Sequence, residues 1–192
     1  MDTRFNLTNY VVRRKVLKLF GGAFHIYGPS GELVMYSRMK AFKLKEDIRL
    51  FTGEDMQTEL LRIEARQIID FAACYDVVDA QSGEKVGALR RKGFKSLLRD
   101  EWRILDAEGR ELGTIQEDSM LLATIRRFLI NLIPQRFTAE FQGVPVCRYR
   151  QHFNPFVLKI SVDFSPDTDG VFDKRLGLAA AVLLCAIEGR QQ

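Results

Sequence analysis

Apolar and polar residues alternate in short stretches along most of this chain, the period of a strand with one wet face. From Tyr10 to Phe20, Val and Leu interleave with basic residues. Ala23 to Tyr27 and Glu32 to Arg38 flank Gly28-Pro29-Ser30-Gly31, which predicts a hairpin. Phe42, Leu44, Ile48 and Leu50 alternate with Lys43, Lys45 and Arg49 as far as Phe51. Phe71 to Asp79, Lys85 to Lys92, Glu101 to Leu105 and Glu111 to Glu117 read as short strands. Ala80-Gln81-Ser82-Gly83 and Asp106-Ala107-Glu108-Gly109 separate them. Gly31, Gly83 and Gly109 each precede a charged residue and a strand, as turns needing a positive φ require. Their spacing is irregular, so they mark reused hairpin chemistry and not a solenoid or propeller repeat. Arg136 to Phe141 and Val144 to Gln151 are joined by Gln142-Gly143 alone, a tight two-residue hairpin. Phe156 to Asp163 sets Leu158, Ile160 and Val162 against Lys159 and Ser161.

Three stretches depart from this rhythm. Gln57 to Ile69 fits two patterns: Leu61, Ile63 and Ala65 alternate with Arg62, Glu64 and Arg66, while Leu60, Ile63 and Gln67 suit a helix. Its strand neighbours favour the strand. Ser119 to Ile133 has Leu121, Leu122, Ile125, Phe128, Leu129 and Leu132 at helical spacing, with Asp118 or Ser119 to cap it and Pro134 to end it. Such a helix packs on the core or covers an edge strand, and with Arg126 and Arg127 it has the alternative of lying on a membrane. Leu176 to Ile187 carries no polar residue on any face. A surface helix keeps a polar side, so this one is expected to be buried all round. It is too short for a bilayer, which needs about 20 apolar residues. Gly177 and Ala179 to Ala181 are small enough for other backbone to close in, and Leu183, Leu184 and Ile187 are large.

About twelve antiparallel strands need closure or stacking to protect their edges. The expected fold is therefore mainly β: an antiparallel closed barrel around a buried hydrophobic C-terminal helix, with one further helix near 119–133. No linker divides the chain, so residues 1–192 are read as one domain.

Composition narrows the function. The 192 residues are 46% hydrophobic and 28% charged, as in a packed core. A net charge of only +4 argues against a dedicated duplex-DNA binder but leaves room for a local basic patch. Cys74, Cys147 and Cys185 are odd in number and widely spaced, which fits neither a disulfide framework nor a zinc site. Cys185 reads as a small hydrophobe within the buried helix. No apolar signal segment opens the chain, so a cytoplasmic protein is expected, peripheral to a membrane if it binds one.

The Asp173-Lys-Arg-Leu-Gly-Leu-Ala-Ala-Ala-Val-Leu-Leu184 stretch, the Phe24 to Val34 hairpin and the strand set from Tyr75 to Ile115 together resemble the tubby C-terminal-like superfamily. The likeness is strongest to the LURP-one-related proteins, relatives of the phospholipid scramblases, and spans nearly the whole chain. It implies a twelve-stranded antiparallel barrel around a hydrophobic C-terminal helix. It also implies a binding function, since tubby members hold phosphoinositides through basic surface residues. The scramblases' palmitoylated cysteine cluster and proline-rich N-terminal extension have no counterpart here, so scrambling is not expected.

Candidate chemistry follows from charge. Leu89 to Arg99 holds five cations and no acid: Arg90, Arg91, Lys92, Lys95 and Arg99 are the candidate contacts for an anionic headgroup. Phe94, Leu97 and Leu98 among them suit insertion at an interface. Arg13, Arg14, Lys15 and Lys18 form a second group, and Arg38, Lys40, Lys43 and Lys45 a third. The competing reading is that these are ordinary solvated faces. Asp163, Asp167, Asp169 and Asp173 look like a calcium loop, but from Asp167 the glycine falls at position four instead of six, and position twelve is Leu178. A turn with an N-cap at Asp173 explains them better. His25 and His152 are the only histidines, and no nucleophile elbow, phosphate loop or metal-spaced set is present. The expectation is a non-enzymatic module without cofactor or metal, binding anionic phospholipid or, alternatively, acting as a protein-interaction scaffold.

Overall fold

A computed structural model describes residues 1–15, 22–39, 47–66, 73–91, 101–118, 135–152 and 157–187. Its strands are β1 (Asn9–Lys15), β2 (Gly22–Tyr27), β3 (Leu33–Met39), β4 (Ile48–Phe51), β5 (Glu59–Ala65) and β6 (Cys74–Asp79). They continue as β7 (Lys85–Arg91), β8 (Glu101–Leu105), β9 (Glu111–Glu117), β10 (Arg136–Phe141), β11 (Val144–His152) and β12 (Val157–Asp163). The helix α1 spans Lys174–Ile187. The predicted helix near 119–133 lies outside the described residues.

The strands form a closed barrel in the order β1-β12-β11-β10-β9-β8-β7-β6-β5-β4-β3-β2. Every neighbouring pair is antiparallel, and β1 closes the sheet by pairing β12 on one side and β2 on the other. None of these twelve strands is left with an open edge. Within the ambiguous stretch at 57–69, Glu59–Ala65 forms β5, with Leu61 and Ile63 fully buried and Arg62 and Glu64 ion-paired outside, while residues 67–69 lie outside the described residues. The turn chemistry is as expected: Gln142 and Gly143 both take positive φ, at 51° and 82°, as a two-residue hairpin demands.

From Leu176 to Ala186 every residue of α1 is buried. Side chains such as Leu178, Leu183 and Leu184 each stabilise the fold by about 2 kcal/mol through removal from water. The small residues do something the sequence did not show. A Cβ on Gly177 would stand 2.4 Å from Cε1 of Phe164 and 3.0 Å from Cε1 of Phe172, so aromatic rings occupy the space, not other backbone. Tyr149, fully buried on β11, donates its hydroxyl to the Gly177 carbonyl at 3.1 Å. Cys185 is buried among apolar neighbours, and burial pushes its thiol up to about 12.

The barrel has two unlike rims. The helix starts at the rim that also carries the 28–32, 52–58, 80–84, 106–110 and 142–143 connections. Here Asp173 caps α1, accepting from the Arg175 N–H at 2.9 Å. Arg175 in turn pairs with Asp173 and, at 2.8 Å, with Asp79 at the end of β6. The helix ends toward the other rim, where Nη1 of buried Arg14 donates to the Cys185 carbonyl at 3.0 Å. A cation there satisfies a carbonyl that the helix itself leaves open.

Candidate functional site

Strand alternation decides which cations reach solvent. Arg13 and Arg14 are consecutive, so they point to opposite sides of the wall. Arg13 is exposed, whereas Arg14 turns inward to cap α1 and lies 6.0 Å from the Phe24 ring. The same split separates Arg90, which is exposed opposite Arg103, from Arg91, which stands half-buried opposite Trp102. The structure therefore does not bring Arg90 and Arg91 together on one face. Lys92, Lys95 and Arg99 lie outside the described residues, as do Lys18, Lys40, Lys43 and Lys45.

On the wall from β4 to β9 most cations are paired with carboxylates. Arg49 and Arg62 share Glu59, and Arg62 also reaches Glu64. Arg66 and Lys85 share Asp76, whose carboxyl is raised by burial but held below the ordinary range by hydrogen bonds and charge from both partners. Arg103 sits between Glu101 and Glu111, and Arg110 between Asp106 and Glu108.

The wall built from β10, β11, β12 and β1 is not balanced. Arg136, Arg148, Arg150 and Arg13 are exposed on its outer side, with half-buried Lys159 among them. Among the described residues none of these five has an ion-pair or side-chain hydrogen-bond partner. The register sets like charges face to face: Arg136 is directly opposite Arg150, and Arg13 directly opposite Lys159. His152 is directly opposite Lys159 as well, with Nε2 2.7 Å from the Ser161 hydroxyl. Burial, then the charges of Lys159 and Arg150, hold its imidazole below the usual histidine range, so it is neutral at pH 7. Asp163, opposite Arg148, spends its carboxylate on the Ser165 N–H at 2.8 Å.

Sequence reasoning passed over Arg136, Arg148, Arg150 and Lys159. They are not a run: Arg148 and Arg150 alternate on β11, Arg136 and Lys159 stand singly on β10 and β12, and they meet only through register. The available signal was the alternation Arg148-x-Arg150-x-His152, which puts three nitrogen-bearing side chains on one face.

The acidic loop is used up locally. Asp167 accepts from the Val171 and Phe172 N–H groups at 3.0 and 3.1 Å, and Asp173 serves the helix as an N-cap. Among the described residues no group of three or more His, Cys, Asp or Glu side chains is placed to hold a metal ion. His25 is braced by Glu54 at 2.8 Å and stacked on Tyr27. Among the described residues no helix is long and apolar enough to cross a membrane.

Comparisons with curated proteins and with solved structures return no match. The family model for LURP-one-related proteins matches residues 33–184, from the start of β3 to within the closing helix. With the barrel, the central helix and most of the chain inside that match, the chain belongs to the LURP-one-related family.

Proposed function

We propose that this barrel is a non-enzymatic binding module that engages anionic phospholipid headgroups at a membrane surface. The observation that carries the reading is the division of its cations. On β4 to β9 most are neutralised by carboxylates, while Arg13, Arg38, Arg90, Arg136, Arg150 and Lys159 have no such partner among the described residues. Unpaired arginines in exposed positions keep their donors available for phosphate oxygens, which they grip bidentately. The LURP-one-related family is not a known enzyme family, which agrees with a binding role.

Flotation with liposomes tests this reading. The protein is expected to float with phosphatidylcholine vesicles doped with phosphoinositide, and not with phosphatidylcholine alone. Binding should fall as salt rises, because screening shortens the reach of the surface potential. Absence of flotation on the doped vesicles at low salt would remove the idea.

A further inference from the structure

Besides Arg38 on β3, two regions of the wall offer cations without an ion-pair partner among the described residues, and one flat bilayer cannot meet both. Arg90 lies on β7, and the β10–β11–β12–β1 face begins three strands further round the closed order. Beside Arg90 stands Arg103, already neutralised by Glu101 and Glu111. Around Arg150 the neighbours are Arg136 on β10 and Ser161 on β12, and around Lys159 they are His152 on β11 and Arg13 on β1. Like charges directly opposite each other in an antiparallel pair oppose folding, and proteins ordinarily place an acid between them. Here two such pairs sit on adjacent strands with no acid joined to either, among the described residues. A local rule broken twice on one face, at a cost to stability, marks a surface kept for binding.

Resting on the reading above, we propose that the outer face of β10, β11, β12 and β1 is the membrane-docking surface. On it Arg136 with Arg150, and Arg13 with Lys159, form two dication sites for the phosphates of multiply phosphorylated lipid headgroups. Each pair places two charges across one strand spacing, about 5 Å apart at the backbone. Neighbouring phosphates on one ring, or on adjacent lipids, can bridge them. His152, Ser161 and Val11 complete the two rows, and the carboxylates at their margins are engaged elsewhere: Asp118 accepts from the Thr138 hydroxyl at 2.8 Å and Asp163 from the Ser165 N–H at 2.8 Å.

The test uses the full chain, phosphoinositide-doped vesicles and two variants, R136T/R150T and R13T/K159T. The control, R49T/R110T, removes the same net charge from the ion-paired wall, and R90T probes the rival region. Each face variant is expected to bind roughly 30-fold more weakly, and the control and R90T to stay within about threefold of the unaltered protein. Thermal unfolding supplies an independent readout: relief of like-charge repulsion should raise Tm by about 2 °C in each face variant.

If the unaltered protein does not float, the function reading fails and this proposal with it. If it floats and the face variants match the control, the function reading stands and the face is overturned. A fall in Tm would show that these cations support the fold, and would also overturn the proposal. So would binding of soluble inositol hexakisphosphate, or of DNA, without flotation.

Discussion

Gly177 shows how much a single position can hide. Its smallness is legible in the sequence, but what uses the space is not: the rings of Phe164 and Phe172, which come from the loop ahead of the helix. Two effects oppose each other at this site. Alanine is favoured over glycine in a helix interior by about 1 kcal/mol. Overpacking a filled core costs about 1–3 kcal/mol, and a Cβ here would stand 2.4 Å from a buried ring carbon. Gly177→Ala is therefore expected to lower stability by about 1 kcal/mol, read as a drop in Tm of about 3 °C. A rise in Tm would mean that Phe164 moves aside freely. Arg14 and Arg91 teach the same lesson for charge. Both belong to basic runs in the sequence, yet each faces inward, because consecutive residues of a strand cannot share a side.

At the scale of elements, the join between β6 and α1 is the one most open to measurement. The turn after Asp79 and the cap at Asp173 follow from local sequence. The pairing of Asp79 with Arg175 does not, since 96 residues separate them. Burial raises the Asp79 carboxyl, but hydrogen bonds from the Ser82 N–H, Arg175 and the Gln81 N–H outweigh it and hold it below 3.8. The unfolded chain thus binds this proton more readily than the folded one. The stability it lends is present in full above the unfolded value and is lost as pH falls through the depressed one. Asp79→Asn leaves Arg175, whose side chain is 11% exposed, with Asp173 as its close partner. The expected cost is about 2 kcal/mol at neutral pH, with a flatter loss of stability on acidification. Equal acid slopes in the two proteins, followed by denaturant unfolding below pH 4, would contradict the assignment.

For the whole molecule, closure and filling are one event. A barrel of this width without its helix would expose the inner faces of all strands to water. A chain ending at Asp173 is expected to show no cooperative thermal transition and to bind ANS, as a collapsed state without fixed packing does. A sharp transition in that truncated chain would mean that the strands hold each other without a core. The balance of charge is also a property of the whole. A net charge of +4 looks unremarkable, yet it hides one wall rich in ion pairs and another whose arginines have no ion-pair partner among the described residues.

For the described elements the sequence by itself determined the strand and helix types, the turns and the burial of α1, because alternation, glycine placement and an unbroken apolar run are local signals. It identified β5 only with help from its neighbours, since its apolar spacing fits two periods. The two proposed dication sites were decided by tertiary structure. Arg136 and Arg150 are fourteen positions apart, Arg13 and Lys159 far more, and each pair meets only because antiparallel register and barrel closure lay distant strands side by side. Charge in a sheet is read across strands, and no linear pattern records what lies across.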